Sequence, residues 1–203
     1  ALTGAFWRTV GSSAAHILGG FLLSCALGIV LAALSARFRR VDELLAPLTA
    51  AVKAVPVASF TILALMWLSG RALALFISAL AVFPPVYLGV LEGARAADRE
   101  LLEMARVFRV PFWRRLRGIY LPQTLPYFRA AAGVGLGLCW KAGTAAEVIA
   151  LCGGSIGERL YTAKIYFQTG DLFAWTAVIV LASALFERLF LRLIDALAER
   201  VGV

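Results

Sequence analysis

The sequence predicts an all-α, polytopic integral membrane protein with about five transmembrane helices. Of the 203 residues, 62% are hydrophobic and only 16% are charged, and the mean hydropathy is +0.86. Soluble domains are about 45–50% apolar and about 25% charged. The apolar residues also form long continuous runs, without the alternation of a transmembrane β-strand. Together these observations exclude a soluble enzyme, a disordered tail and a disulfide scaffold.

The predicted spans are the stretches with few or no charged side chains. A helix needs about 20 apolar residues to cross about 30 Å of hydrocarbon. Between residues 9 and 36 the only ionisable side chain is His16, and the run 130–157 is interrupted only by Lys141 and Glu147. We expect one transmembrane domain over residues 1–203, with spans at 8–36, 43–70, 72–94, 122–150 and 171–196. The chain begins with alanine and no signal peptide is evident, so an upstream segment stays an open question.

The positive charge is distributed unevenly among the connections. The net charge is +8, from 20 Lys and Arg against 12 Asp and Glu. Segment 95–129 alone holds eight arginines and three acidic residues. Because basic residues concentrate in cytoplasmic loops, we expect this connection and the carboxyl terminus to be cytoplasmic.

The connection at about 95–121 has the pattern of two short amphipathic helices. Asp98 is a predicted N-cap, and Leu101, Ala105 and Phe108 then fall on one helical face. Pro111 suits the first turn of a second helix, after which Pro122 and Pro126 mark the entry to the next span. On physical grounds alone, this basic amphipathic connection either lies on anionic lipid headgroups or docks a cytoplasmic partner.

The same connection carries a recognisable motif. Glu103-Met104-Ala105, three residues, Arg109, nine residues and Ile119-Tyr120-Leu121-Pro122 resemble the signature E-A-A, three residues, G, nine residues, I-x-L-P of bacterial ABC importer permeases. Met104 and Arg109 depart from it, because the family has alanine and glycine there. Segments 67–106 and 140–149 also resemble the nitrate/sulfonate/taurine branch. The sequence is therefore similar to the binding-protein-dependent, type I ABC importer permeases, which have the MetI-like fold.

This resemblance implies a multi-pass permease of the bacterial inner membrane that works as a homodimer. The implied partners are an ATP-binding cassette ATPase subunit and an extracytoplasmic substrate-binding protein, besides membrane lipid and not nucleic acid. The helix around 103–108 is then the coupling helix that inserts into the ATPase. The implied ATPase-coupling residues are Leu101, Leu102, Glu103, Met104, Ala105, Arg106, Phe108, Arg109, Ile119, Leu121 and Pro122.

The chain lacks the motif that binds nucleotide phosphates. A Walker A loop needs G-x-x-x-x-G-K-[ST], and no Gly-Lys pair occurs in the sequence. We therefore expect no enzyme activity, cofactor or metal in this chain, and place ATP and Mg²⁺ in the partner ATPase. An arginine tolerates positive φ poorly, so at Arg109 we expect a slightly different turn without loss of coupling.

The candidates for the translocation path are Pro84, Thr144, Glu147 and Lys141. A charge at mid-membrane costs about 2.5–3.5 kcal/mol, so Lys141 and Glu147 call for an explanation. Their spacing places them on different helical faces. We expect Glu147, with Thr144, to face the path, and Lys141 to pair with another helix or the dimer mate. The alternative places either charge near the outer interface, where it is solvated. Pro84 predicts a kink in the third span.

Two glycine motifs leave alternatives open. Gly133 and Gly137 form a G-x-x-x-G pattern, which marks either the dimer seam or a contact within the subunit. The Gly153–Gly157 segment matches the G-x-S-x-G nucleophile elbow around Ser155. Because the only histidine is His16, a glycine-rich helix exit is the favoured interpretation. The alternative function for the whole chain is an ion-coupled helical secondary transporter that uses Glu147 and Lys141.

Overall fold

The computed structural model describes residues 4–201, which form helices and no strand. The ends of the predicted domain, residues 1–3 and 202–203, lie outside the described residues. In chain order the helices are α1 (Gly4–Arg37), α2 (Arg39–Ala54), α3 (Val57–Ala64), α4 (Gly70–Arg95), α5 (Arg99–Val107), α6 (Phe112–Arg115), a π-helical segment (Leu116–Tyr120), α7 (Leu121–Ala150), α8 (Ile156–Ile165) and α9 (Thr169–Val201). The predicted all-α class is confirmed.

Long apolar helices dominate the described part of the chain. By length and composition, α1 and α4 can each cross a membrane, and α2 with α3 gives a third span if that bent pair is counted as one. The last two predicted spans correspond in position to α7 and α9, of 30 and 33 residues. At about 1.5 Å per residue both exceed the hydrocarbon thickness. The count of about five spans stays a prediction.

The second predicted span, 43–70, is wrong as a single straight helix. It is divided between α2 and α3, whose axes differ by 101°. The break falls at Val55 and Pro56, and Val55 has an extended backbone with φ −75° and ψ 128°. Proline has no amide hydrogen and disfavours helical geometry in the preceding residue, which explains why the helix ends here.

The core lies where α4 packs against α1 on one side and α7 on the other. Its largest fully buried side chains include Ile17, Phe21, Tyr87 and Trp140. Small residues bring the helices close together. A Cβ added to Gly20 of α1, for example, lies 2.8 Å from Ser78 Cβ of α4. As in other membrane bundles, small residues let the helix backbones approach closely beside the larger core side chains.

The second helix predicted in the connection is not a separate element. Pro111 is its N-cap, as expected, but α6 continues through the π-helical segment into α7. In that segment the Leu121 amide donates to the Leu116 carbonyl, five residues earlier. The following residue, Pro122, cannot donate to the ladder and its ring crowds the carbonyl four residues before it, so the wider turn accommodates it. Pro122 and Pro126 therefore lie within a helix and do not separate two.

Candidate functional site: an exposed connecting helix and a buried polar cluster

The helix α5 is held in place at its first residue. Asp98 is the N-cap, as predicted, and its carboxylate accepts from the Glu100 amide at 2.8 Å. The amide of Asp98 itself donates to Gln123 Oε1 of α7 at 2.7 Å. The start of α5 is thus attached directly to the start of α7. Sequence analysis missed Gln123, because no local pattern marks a contact across 25 positions.

Arg109 ends α5 in the left-handed conformation that the family glycine suggests. Its φ is 51°. The Arg109 amide donates to the Arg106 carbonyl at 3.0 Å, and the Val110 amide donates to the Ala105 carbonyl at 2.8 Å. These are the two hydrogen bonds of a Schellman motif. The expectation of a different turn at Arg109 is therefore wrong, since the usual turn forms with an arginine in it.

Apolar side chains on and after α5 project away from the rest of the chain. Val107, Phe108 and Trp113 are 78%, 74% and 75% exposed. We call the exposed set the coupling surface: Leu101, Met104, Val107, Phe108, Phe112 and Trp113. The predicted apolar face is corrected in one respect, because Ala105 is buried at 3% exposure while Leu101 and Phe108 point outward. Val107 and Trp113 are additions that the sequence analysis did not single out.

Charged side chains flank the coupling surface. Among the implied coupling residues, Glu103, Arg106 and Arg109 are exposed, whereas Leu102 is half-buried. An exposed apolar patch with a charged rim is typical of a protein interaction site.

The helices on either side of α5 approach each other closely. A Cβ on Gly93 of α4 lies 2.9 Å from Thr124 Cα of α7. Arg95 at the end of α4 also pairs with Asp42 of α2, with Nη2 and Oδ2 2.6 Å apart. The I-x-L-P residues lie at the same junction, where Ile119 and Pro122 are half-buried and Leu121 is 41% exposed. The end of α4 and the start of α7 therefore lie against each other beside the start of α5.

A polar cluster is buried near the other end of α7. Glu147 is only 1% exposed. Its Oε2 accepts from the Ser13 hydroxyl of α1 at 2.8 Å and from the Gly157 amide of α8 at 3.2 Å. The Ser13 oxygen in turn accepts from the Ile156 amide at 2.8 Å. Three helices therefore meet at one carboxylate. Sequence analysis identified Glu147 but missed Ser13, which is 134 positions away.

The other path candidates lie in different surroundings. Trp140, Thr144 and Glu147 share a buried face of α7 while Lys141 is exposed, so the predicted division of faces is confirmed. The Thr144 hydroxyl donates to the Trp140 carbonyl at 2.6 Å. Because Glu147 and Thr144 are both enclosed within the chain, this geometry does not support a place for them on a path. Pro84 is buried within α4, which continues past it as one helix.

The two glycines of the G-x-x-x-G pattern do not lie where α7 packs most closely against other helices of the chain. A Cβ on Gly137 has nothing within 4 Å, and one on Gly133 first meets atoms of α9 at 3.9 Å. Gly135, between them, is the buried one, and its Cβ position lies 3.1 Å from Val82 of α4. The face of α7 with Gly137 is thus open in the single chain.

Ser155 has a structural place in this protein. Its hydroxyl accepts from the Glu158 amide at 3.1 Å and caps α8. This agrees with a glycine-rich helix exit followed by a new helix, and a capping oxygen needs no histidine beside it.

Long apolar helices, a connecting helix with an exposed apolar patch and a buried polar cluster are together typical of a multi-pass membrane protein. The comparison with known families is specific: the profile of the "binding-protein-dependent transport system inner membrane component" family matches residues 25–203. The chain belongs to this family and is a membrane-embedded protein.

Curated relatives support the same placement. The chain is 28% identical over 177 residues to a Bacillus subtilis protein named as an aliphatic sulfonates transport permease, SsuC. It is 28% identical over 198 residues to the riboflavin transport system permease protein RibX of Chloroflexus aurantiacus. It is 27% identical over 166 residues to the bicarbonate transport system permease protein CmpB of Synechococcus elongatus. The resemblance to the nitrate/sulfonate branch is thereby confirmed.

The chain is shorter than these relatives. The alignments cover 87%, 94% and 81% of this chain but 63%, 74% and 59% of SsuC, RibX and CmpB. Among solved structures, a chain of an amino acid ABC transporter crystallised with histidines superposes with a TM-score of 0.68. That superposition covers 97% of this chain and 94% of the other at 15% identity, so it supports the fold alone.

Proposed function

We propose that this chain is the membrane-spanning subunit of an ABC importer and moves a small solute into the cytoplasm by alternating access. An extracytoplasmic binding protein delivers the solute, and a partner ATPase supplies the energy. The observation that carries the proposal is the coupling surface. Its exposed apolar side chains sit on a capped helix between two long helices, and a groove on a protein partner would bury them.

The geometry around α5 supports a mechanical role. The helix is attached to α7 through Asp98 and Gln123, and the close approach of Gly93 and Thr124 joins α4 to α7. When ATP binding closes the ATPase dimer, an inserted α5 moves with it. Because these attachments are short and direct, the spans before and after α5 move too, and the cavity they enclose changes the side to which it opens.

The open face of α7 supports assembly as a homodimer. Val134 is 60% exposed, Lys141 is exposed, and Gly137 leaves room for close backbone approach. A lysine at this depth is costly if it faces lipid, but not if it faces a water-filled path or a polar group of a second copy. In this proposal the open face of α7 lines the seam between two copies, and Lys141 is the path candidate that the structure leaves exposed.

The test is co-purification with the ATPase. The tagged chain is co-expressed with a candidate ATPase subunit and binding protein in a membrane host, and the ATPase that is retained is quantified. We expect Phe108→Asp to reduce retention at least tenfold, because a buried aromatic anchor of an interface contributes about 2 kcal/mol or more. Phe38→Asp is the matched control, since Phe38 is a 51%-exposed phenylalanine in a different connection. Equal retention in both variants, or none in the wild type, contradicts the proposal.

A further inference from the structure

We infer that Glu147 is a positioning residue that fastens α8 to α1 and α7, so that the three helices move as one unit during transport. This inference rests on the proposed function. Among the described residues the Glu147 carboxylate is buried and forms no salt bridge.

The contacts of Glu147 go to the first turn of α8 and to α1. Its Oε2 accepts a hydrogen bond from the Gly157 amide. The Ser13 hydroxyl donates to the same oxygen and itself accepts from the Ile156 amide. These amides belong to the amino end of α8, where amides lack partners inside the helix. An anion there is stabilised by both hydrogen bonding and the helix dipole. The Ser155 hydroxyl accepts from a third amide, that of Glu158. The first amides of α8 therefore donate to its own N-cap serine and to side chains of α1 and α7.

Steric fit makes the attachment specific. A Cβ built on Gly157 collides with Glu147 Cβ and lies 2.6 Å from the Val148 amide nitrogen. Only a glycine therefore lets the α8 backbone approach α7 closely enough for its amide to reach the carboxylate. The other carboxylate oxygen, Oε1, is buried without a hydrogen-bond partner among the described residues. A buried oxygen left unsatisfied is costly, so the hydrogen bonds that Oε2 accepts from Ser13 and Gly157 offset that cost.

One side of α8 borders an open cavity, which leaves room for its amino end to move. An open cavity of about 280 Å³ separates parts of α8 from α1 and α9. Its lining includes Phe6 and Thr9 of α1, Arg159 of α8, and Asp171 and Trp175 of α9. Because α8 also packs against α9 and buries Ile156 in the core, we expect removal of the polar cluster to loosen the amino end of α8 and not the whole helix.

Its position explains why such a helix matters for transport. α5 precedes the start of α7 and α8 follows its end, and 30 residues of helix separate the two ends by about 45 Å. In the proposed orientation α5 meets the ATPase, whereas α8 lies on the outer side. Fastening α8 to α7 and α1 carries the movement of α7 to the outer opening.

Amide hydrogen exchange in the assembled transporter tests the attachment. The variants are Glu147→Ala, Glu147→Gln and Ser13→Ala, with Ser12→Ala as the matched control from the neighbouring position on α1. We expect exchange at Gly157 to accelerate at least tenfold in Glu147→Ala, and exchange at Ile156 to accelerate at least tenfold in Ser13→Ala, because each variant removes the acceptor of that amide. Glu147→Gln keeps an acceptor oxygen but loses the charge, so its acceleration should be smaller. Ser12→Ala should match the wild type.

A functional readout separates positioning from simple folding. In reconstituted complexes that retain the ATPase, we expect Glu147→Ala to hydrolyse ATP at the wild-type basal rate while solute uptake falls at least fivefold. Glu147→Gln should restore part of the uptake. Unchanged exchange at Ile156 and Gly157, equal acceleration in Ser12→Ala, or normal uptake despite faster exchange overturns the inference. If Glu147→Ala fails to assemble, Ser13→Ala and Glu147→Gln decide by the same criteria. Failure of the proposed function is distinct, because wild-type complexes then show no ATP-dependent uptake.

Discussion

At the scale of single residues, the turn at Arg109 shows how a family position tolerates an unexpected side chain. The left-handed conformation is retained with φ 51°, and two backbone hydrogen bonds fix it. The arginine carries a backbone cost that glycine does not. The two backbone hydrogen bonds hold the turn despite this cost, so the geometry is maintained with an arginine in it.

We predict that Arg109→Gly stabilises the turn by up to about 1 kcal/mol, because glycine removes the left-handed strain. ATPase retention and uptake should equal or exceed the wild-type values. Arg109→Val should lower both, since a β-branched residue is a poorer fit to positive φ than arginine. Thermal unfolding of the purified complex measures the first effect. A loss of stability in Arg109→Gly means that the arginine side chain itself contributes an essential contact.

Gly157 provides a second test at this scale. We predict that Gly157→Ala destabilises the fold by about 1–3 kcal/mol, because the added Cβ overlaps Glu147 and the α7 backbone. Gly153→Ala is the matched control, since a Cβ at Gly153 has nothing within 4 Å, and it should change stability by less than about 0.5 kcal/mol. Chemical or thermal unfolding of both variants gives the comparison. Equal stabilities mean that α8 is not packed against α7 as described.

At the scale of elements, the helix α5 depends on its cap. It has only nine residues, and isolated helices shorter than about 12 residues are marginal in water. The Asp98 cap, the Schellman turn and the Gln123 contact therefore provide much of its order. A preformed α5 can dock without first being ordered, which reduces the entropic cost of binding the partner.

We predict that Asp98→Ala weakens α5 by about 1 kcal/mol, the usual cost of losing an N-cap, and lowers ATPase retention. Asp98→Asn should behave like the wild type, because asparagine caps a helix equally well. Circular dichroism is insensitive to one helix among many, so hydrogen exchange across residues 99–107 is the appropriate measurement. Equal protection in Asp98→Ala and Asp98→Asn contradicts a role for the cap.

The same scale shows what sequence reasoning can and cannot supply. The Asp98 cap and the start of α6 at Pro111 follow from local rules, and they formed as predicted. Proline chemistry alone predicts a helix break at Pro56. The single span over 43–70 was predicted because the apolar residues continue past this proline. The continuity of α6 with α7 was missed because two prolines usually end helices, and a π-helical turn accommodates them here. Ser13 and Gln123 carry no local signal at all, since their partners lie far away in the chain.

At the scale of the whole molecule, two short helices lie at opposite ends of α7, and each is joined to it by hydrogen bonds. α5 presents apolar side chains to a partner, and α8 is fastened by Glu147 and Ser13. Between them, α1, α4 and α7 pack closely through small residues. This arrangement suits a protein in which work done at one end reorganises the other end, as a permease driven by an ATPase requires.

The most direct test of that account is solute uptake into proteoliposomes that contain the chain with its partner ATPase. We predict uptake only when ATP is present on the side of α5 and binding protein on the side of α8, with no response to an imposed proton or sodium gradient. Phe108→Asp should abolish this uptake, whereas Phe38→Asp should preserve it. Uptake that follows an ion gradient without ATP, or that survives in Phe108→Asp, would contradict the account and favour an ion-coupled carrier.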